Sequence, residues 1–302
     1  TMIANSTPLI VVNGVPYMPD MNESGIIGGY SKDIFNILNV QDIENITVLK
    51  GADAAMYGSL GSNGVIMIET DKAADLDTKV EFIGQYGLSW NTSTLPVLGV
   101  DDYKSLMGNV ALTKYEDMSD ALSAFPYLKD DPEFYYKYLY NNNTDWQDLI
   151  YQDGFSQEYN ISVSGGSRNG SWHSFSGNYL KQQGIIKESG FTRYSIRANM
   201  GRKIKSWLDM GVNISFSHTD TDFSRTNSND YGVIRSALVF PTTYDPSDDE
   251  TLNSDELSWL ASNPYAYINS AKDNLKSNNV FTSSYLEIKL FPFLKFRQNL
   301  GI

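Results

Sequence analysis

The chain has 302 residues, a net charge of −13 from 36 acidic and 23 basic side chains, and no cysteine. The acidic balance argues against nucleic-acid binding, which depends on Lys and Arg that neutralise phosphates, and the lack of Cys excludes disulfides and thiolate metal sites within the chain. No run of residues approaches the roughly 18–20 apolar residues of a membrane helix.

The first predicted element is a short strand over residues 8–13, followed by a tight turn at Asn13–Gly14 and a stretch rich in turn formers. Apolar residues at positions 34, 35, 37 and 38 predict a short helix over 31–38. Because the sequence begins within a strand and stops in mid-strand, we expect it to be a piece of a longer polypeptide.

Residues 43–70 form the unit around which the chain is organised. The pattern predicts a strand over 46–49, a turn at Lys50–Gly51, a helical turn over 52–57, a glycine-punctuated loop and a strand over 65–69. The apolar run 65–68 is typical of a strand covered on both faces, so this unit must be enclosed by something larger.

The glycine loop does not match either common nucleotide-binding motif. No Lys-Ser or Lys-Thr pair follows the glycines, which argues against a P-loop, and the spacing lacks the close glycine pair of a dinucleotide fingerprint. The glycines are expected to permit tight turns and backbone crossings.

After a polar stretch at 71–78, where we place a domain boundary, the sequence changes to segments with alternating apolar and polar residues. The clearest runs from Leu208 to Phe216, with one apolar face and one polar face. This length and period suit tilted membrane strands. Seven strands are predicted, over residues 80–88, 158–164, 174–179, 193–200, 208–217, 286–290 and 293–302.

The connections between these strands alternate between long or medium and short. An up-and-down membrane barrel has short turns on its periplasmic side and longer loops outside, whereas a soluble sandwich would turn at regular short intervals. Aromatic residues near strand ends are expected to form interfacial girdles, and polar faces with charges are expected to line a lumen. The aromatic residues are Trp172, Tyr179, Tyr194 and Trp207, and the charges are Arg193, Arg197 and Asp209.

Several separated motifs resemble the SusC/RagA branch of the TonB-dependent outer-membrane transporters of Bacteroidetes. They are VLKGADAAMYGSLGSNGVI at 48–66, VVNGVPY at 11–17, TDWQD at 144–148 and IRSALVFPTTYDP at 234–246. The resemblance implies a plug motif made of Lys50, Gly51, Tyr57, Gly58, Gly61 and Gly64.

The resemblance implies a mainly β fold with two parts. Residues 1–76 would be the C-terminal part of an α+β plug, and residues 77–302 would be the first roughly seven strands and long extracellular loops of a transmembrane antiparallel β-barrel. The barrel is expected to be incomplete in this chain, because plugged transporters need about 22 strands.

The function implied by the resemblance is TonB-dependent import of an oligosaccharide or peptide across the bacterial outer membrane, without enzymatic activity. Expected partners are a SusD-like surface lipoprotein, the TonB–ExbB–ExbD complex, the substrate and outer-membrane lipid, and nucleic acid is not expected. The candidate substrate contacts are Tyr17, Met18, Asp20, Tyr30, Arg193 and Arg197.

Three other patterns have alternative interpretations. An aromatic run over 134–140 could stack on sugars, although packing within the loop is the more common role. An acidic cluster over 245–256 could ligate calcium, but it lacks the EF-hand spacing and is better explained as a solvated loop. No metal or other cofactor is therefore expected. The main alternative function is a soluble or surface-attached all-β glycan-binding module without transport.

Overall fold

The computed structural model describes residues 7–17, 34, 37–70, 77–125, 128, 142–224, 232–246, 263–270 and 273–301. These residues form a four-stranded sheet and a seven-stranded sheet, which we call the small sheet and the large sheet. The predicted helix over 31–38 lies mostly outside the described residues.

The small sheet has the strand order β2-β1-β4-β3. Its strands are β1 (Leu9–Val12), β2 (Val15–Tyr17), β3 (Ile43–Leu49) and β4 (Val65–Thr70). The predicted turn at Asn13–Gly14 joins β1 to β2 with positive φ at both residues, 51° and 83°, as a two-residue hairpin loop requires.

Strand β4 lies in the middle of the small sheet, parallel to β1 and antiparallel to β3. Val65 packs with Leu9, Val11 and Ala54 on one face, while Ile68 packs with a second buried cluster on the other face. The prediction that this apolar run is covered on both faces is therefore confirmed.

Between β3 and β4 the chain forms a 3₁₀ segment from Ala54 to Gly61, kinked at Gly58 where φ is 60° and ψ is −143°. A Cβ atom at Gly61 would overlap the backbone carbonyl of Ala54, so the segment can close only around a glycine. The prediction placed a helical turn over 52–57 and a loop after it. In the structure, 3₁₀ geometry resumes after the kink at Gly58 and continues to Gly61. Local turn propensity could not show this, because it does not reveal the close approach of Gly61 to Ala54.

The large sheet confirms all seven predicted strands, each antiparallel to the next along the chain. They are β5 (Lys79–Ser89), β6 (Gly154–Gly166), β7 (Ser171–Gln183), β8 (Gly190–Lys205), β9 (Leu208–Phe223), β10 (Asp273–Phe291) and β11 (Leu294–Gly301). Strands β5 and β11 form its two edges, so within the described residues the sheet is an open arc of a barrel.

The alternation of short and long connections is also confirmed. The short links 167–170, 206–207 and 292–293 lie at one end of the sheet, which we call the short-turn end, and the links 90–153, 184–189 and 224–272 lie at the long-loop end.

Within the described parts of its connections, the long-loop end carries five helices. They are α1 (Val100–Lys114), α2 (Met118–Ala124), α3 (Trp146–Ile150), α4 (Val233–Val239) and α5 (Pro264–Ser270). Asp101 and Asp102 lie in the first turn of α1, where acidic side chains stabilise the positive end of the helix dipole. None of the described helices is long and apolar enough to cross a membrane.

Candidate functional site: the interface between the sheets

The large sheet turns its polar face towards the small sheet. The buried side chains on that face include Asn160, Ser174, Ser176, Asn178, Arg193, Arg197, Asn199, Asn213 and Ser283. The opposite face is apolar and exposed, with Phe82 at 67%, Ile196 at 66% and Val280 at 65% of their accessible surface. A soluble sheet would bury the apolar face, so this arrangement suits a strand wall with lipid outside and polar contacts inside.

Arg193 and Arg197 of β8 hold the small-sheet unit through residues 38–42, which we call the docking segment. The Arg193 guanidinium donates Nη1–H to the Leu38 carbonyl at 2.9 Å. The Arg197 guanidinium donates Nη1–H to the Asp42 carbonyl at 3.2 Å, and its Nη1 lies 3.7 Å from the Asp42 carboxylate. Both side chains are buried, so the two arginines clamp the two ends of the docking segment.

The large sheet holds Arg193 in place with its own polar groups. Arg193 Nη2 donates to the Asn178 side-chain oxygen at 3.2 Å and lies 3.5 Å from the Glu158 carboxylate, which also accepts from Asn178 Nδ2 at 2.8 Å. Such a network fixes the guanidinium before the docking segment binds.

Asn39 binds the large sheet between the two arginines. Its Nδ2 donates to Asn160 Oδ1 at 2.8 Å, while its Oδ1 accepts from the Gln41 backbone N–H at 3.1 Å. The second bond caps the 3₁₀ turn Val40–Asp42, so one amide side chain both shapes the docking segment and attaches it to the wall.

A second attachment point lies at Thr70, the last residue of β4. The Thr70 backbone N–H donates to Asn13 Oδ1 at 3.0 Å, and the Thr70 hydroxyl accepts from Asn13 Nδ2 at 2.8 Å and from Asn213 Nδ2 at 3.2 Å. These bonds join the β1–β2 turn, the end of β4 and strand β9 at Thr70.

A cavity of about 280 Å³ remains between the two sheets beside this attachment point. Small-sheet residues such as Asn13, Tyr57 and Glu69 line one side, and Asn199, Asn213, Ser283 and Arg297 line the other. The interface is therefore polar and incompletely filled. Water can enter the cavity and can replace the hydrogen bonds between the two sheets if the sheets separate.

Asp42 is the buried acid of this interface. Burial raises the pKa of its carboxyl above the ordinary value, and the nearby Arg197 together with hydrogen bonds to Ser176 and Asn39 offsets that effect only in part. The docked state therefore favours the protonated acid more than the free segment does.

We expect the docking segment to be held more firmly at mildly acidic pH than at neutral pH. Because the pKa of Asp42 is higher in the docked state, protonation of Asp42 stabilises docking. This stabilisation is fully present below the ordinary pKa of Asp and is lost as the pH rises through the raised pKa. Amide hydrogen exchange of residues 38–42, corrected for intrinsic exchange rates, would measure it. Asp42→Asn should flatten the pH dependence; an unchanged profile in this variant would assign it to another group.

The two remaining sequence motifs meet at the long-loop end. Trp146 is fully buried, donates its indole N–H to the Pro241 carbonyl at 2.9 Å and stacks edge-on against Phe240. Thr144 donates its backbone N–H to the Thr242 carbonyl at 2.9 Å and its hydroxyl to the Tyr244 carbonyl at 2.6 Å. The segments TDWQD and FPTTYDP therefore bind each other.

Other residues of TDWQD order the same region. The Asp145 carboxylate caps α3 by accepting from the backbone N–H groups of Gln147 at 2.9 Å and Asp148 at 3.2 Å. The Gln147 amide exchanges two hydrogen bonds with the backbone of Leu95. We call the buried cluster around Trp146 the loop core; it consists of Trp146, Ile150, Ile186, Val233, Ala237, Phe240, Tyr244 and Ile268.

The predicted substrate contacts have different positions. Arg193 and Arg197 contact the docking segment, and Tyr17 packs at the edge of a small-sheet cluster. Met18, Asp20 and Tyr30 lie outside the described residues. A substrate-binding role for all six stays a prediction. In the plug motif, Tyr57 packs against the Leu9 and Val65 cluster, and Lys50 and Gly51 form an exposed turn.

The predicted aromatic girdle is only partly as expected. Tyr159, Tyr179, Tyr194 and His218 lie opposite one another across four strands, with ring centroids 6.3, 5.0 and 6.3 Å apart. Trp172 does not join this row. Its ring covers Gly201, on the side of the sheet that carries Ser174, because a strand alternates its faces with every residue.

Most of the acidic cluster at 245–256 and the aromatic run at 134–140 lie outside the described residues. Within the described parts of the chain, no three His, Asp or Glu side chains lie close enough together to hold a metal ion. The expectation that no cofactor is needed stays a prediction.

Comparison with known proteins agrees with this architecture. Residues 3–65 match the TonB-dependent receptor plug domain. The sequence is 29% identical over 270 residues to TonB-dependent receptor P3 of Formosa agariphila, covering 86% of this chain and 24% of that protein. It is 28% identical over 283 residues to TonB-dependent receptor SusC of Bacteroides thetaiotaomicron, covering 93% of this chain and 24% of the relative.

Among solved structures, the RagAB peptide transporter superposes with a TM-score of 0.73 at 20% identity, covering 99% of this chain and 34% of that one. The siderophore receptor PirA of Acinetobacter baumannii superposes with a TM-score of 0.52 at 16% identity, over 98% of this chain and 32% of that one. The chain thus spans about a quarter of the curated relatives it matches.

Proposed function

We infer that this chain is part of a SusC/RagA-like TonB-dependent receptor, in which the small sheet belongs to the plug and the large sheet forms the first seven strands of the barrel wall. We propose that the complete protein imports a nutrient, an oligosaccharide or a peptide, across the bacterial outer membrane. A peptide substrate is supported by the structural likeness to a peptide transporter.

The observation that carries this proposal is the buried polar interface between plug and wall. Hydrogen bonds such as those of Arg193 to Leu38 and Asn213 to Thr70 can be replaced by bonds to water at modest net cost. An apolar interface of the same size would resist separation much more strongly, because exposing apolar surface to water is costly. A plug held in this way can stay closed at rest and be displaced by moderate force.

The expected partners follow from this mechanism. TonB, energised through ExbB and ExbD, would pull on the plug from the periplasm, at the short-turn end of the wall. A SusD-like lipoprotein would lie over the long-loop end and deliver substrate. The apolar outer face would contact outer-membrane lipid. The family consists of receptors and transporters, and we propose no catalytic step and no bound cofactor or calcium ion.

Locking the plug to the wall tests this function. Residues 1–302 contain no cysteine, so Asn39→Cys with Asn160→Cys can be introduced into the full-length receptor, with any cysteine elsewhere in that receptor replaced by serine, and joined by a reducible thiol cross-linker. These side chains now share a 2.8 Å hydrogen bond across the interface. We expect cross-linked cells to lose uptake of fluorescent peptide and oligosaccharide pools and to regain it on reduction.

The matched control is a cross-link within the wall. Ser164→Cys and Ser174→Cys face each other on β6 and β7, so bridging them leaves the plug free. We expect uptake to continue in this variant. Equal uptake before and after locking of the Asn39 and Asn160 positions would overturn the proposal that the plug must move during import.

A further inference from the structure

The outer face of the wall carries a groove close to its short-turn end. The groove has a volume of about 540 Å³, within the range of about 300–1,000 Å³ found for ligand pockets. Most of its exposed surface is apolar and comes from outward-facing residues that include Met200, Met210, Leu286 and Leu300, while Ser171, His173, Ser284 and Gln298 are its uncharged polar outward-facing residues. Met210 is 45% and Leu300 61% exposed, so apolar surface is available to a ligand there.

Arg202 of β8 lines the same groove. It is exposed and pairs across the sheet with Ser171 and Met210. Within the described part of the chain its guanidinium has neither a hydrogen bond nor an ion pair. A guanidinium presents donors in a planar fork that suits a phosphate, so the chemistry of Arg202, at the edge of an apolar groove, is that of a group that can bind a phosphate.

Further positive charge surrounds Arg202 at this end of the sheet. The side chain of Lys203, the next residue, lies opposite Asp209 on the inner face and adds no charge to the outer rim, but its backbone N–H donates to the Gly170 carbonyl at 2.9 Å, which brings the turn containing Arg168 alongside. Lys205 ends the same strand. The nearby acids have partners on the inner side, since Asp209 accepts from the Tyr285 hydroxyl at 3.3 Å and Glu287 lies 3.9 Å from Arg297. The outer rim therefore keeps an excess of positive charge.

We propose that this groove binds a phospholipid of the periplasmic leaflet, with the lipid phosphate on Arg202 and an acyl chain against Met200, Met210 and Leu286. The choice of the periplasmic leaflet rests on the proposed function, because short turns face the periplasm in a membrane barrel and the groove lies at the short-turn end. Apolar walls bind hydrocarbon, while a cationic rim at headgroup level attracts the anionic phosphate.

The other end of the outer face offers a matched comparison. Lys181 on β7 is also exposed and has no partner among the described residues, but it does not line the neighbouring outer-face groove formed around Tyr179 and Tyr194. A general attraction of lipid to surface cations would involve Lys181 and Arg202 equally. A specific site would involve Arg202 alone.

The test uses the full-length receptor, purified in mild detergent, stripped of lipid and titrated with phosphatidylglycerol while bound lipid is counted by native mass spectrometry. We expect Arg202→Gln to lower the affinity about fivefold, and Lys181→Gln to leave it unchanged. Met210→Trp, which fills the groove and keeps the cation, should also weaken binding.

Equal effects of Arg202→Gln and Lys181→Gln would overturn the specific site. Full displacement of the lipid by inorganic phosphate would show a free-anion site instead and would also overturn the proposal. Heat-dependent gel mobility of each variant verifies that the barrel is folded. Because plug locking tests import and lipid counting tests the groove, failure of one proposal is distinguishable from failure of the other.

Discussion

Replacing Arg197 with alanine in the full-length receptor is expected to weaken the attachment of the plug to the wall by about 3–5 kcal/mol, the usual cost of removing one partner from a buried ion pair. The Asp42 carboxylate would stay buried without its nearest cation, and the Asp42 carbonyl would lose its donor at 3.2 Å. Amide hydrogen exchange should show faster opening of residues 38–42, while the wall strands keep their protection.

Two further variants separate the charge from the hydrogen bond. Because burial already raises the pKa of Asp42, Asp42→Asn should dock at least as well as the native plug at neutral pH. The double variant Arg197→Ala with Asp42→Asn should recover part of the loss, because no buried charge is left without a partner. If the double variant opens as fast as Arg197→Ala alone, the loss comes from the backbone contact and packing instead.

Arg297→Ala is the control variant. It tests whether the loss of any arginine on the inner face of the wall, and not of Arg197 in particular, weakens the attachment of the plug. Arg297 lies 3.9 Å from Glu287 but its side chain is 43% exposed, so the pair is worth at most about 1 kcal/mol. We expect no change in the exchange of residues 38–42. A loss equal to that of Arg197→Ala would indicate that wall charge in general, and not this buried clamp, attaches the plug.

The strands of the wall could be predicted from sequence because one face is apolar and exposed while the other is polar and turned towards the small sheet, which imposes strict alternation. Their lengths could not. Near the end of β9, residues His218 to Asp222 are polar on both faces and show no alternation. They remain in the sheet because β10 pairs with them up to Asp273.

The interface could be predicted only on one side. Arg193 and Arg197 were identified as charges on a polar strand face, but their partners Leu38 and Asp42 each lie 155 residues away in sequence. Contacts at that separation leave no local pattern. In the same way, TDWQD and FPTTYDP each resembled a family segment, while their mutual binding appears only in three dimensions.

Replacing Trp146 with alanine is expected to destabilise the loop core by about 3–5 kcal/mol, the usual cost of truncating a fully buried Trp. The variant would lose the edge-on contact with Phe240, whose ring centroid lies 5.0 Å away, and would leave the Pro241 carbonyl without its donor. Limited proteolysis of the receptor in detergent should then cleave within residues 142–150 and 232–246, which we expect to resist cleavage in the native protein because they are packed and hydrogen-bonded to each other.

Trp90→Ala is the matched control, because Trp90 begins the same long connection but is 62% exposed. It should leave the cleavage pattern unchanged. Both variants should keep heat-dependent gel mobility, since the hydrogen bonds that pair β6 to β10 do not involve the loop core. Loss of the folded band in Trp146→Ala would contradict this separation and would show that the loops also stabilise the barrel.

The position of the loop core explains why its disruption should impair function while the barrel strands stay folded. It joins the connection before β6, the link between β7 and β8, and the connection between β9 and β10, through Ile150, Ile186 and Val233. Three loops that would otherwise move separately are thus packed as one body above the strand ends. Under the proposed function, Trp146→Ala should therefore weaken capture of a surface lipoprotein on the long-loop end, with plug exchange at residues 38–42 unchanged.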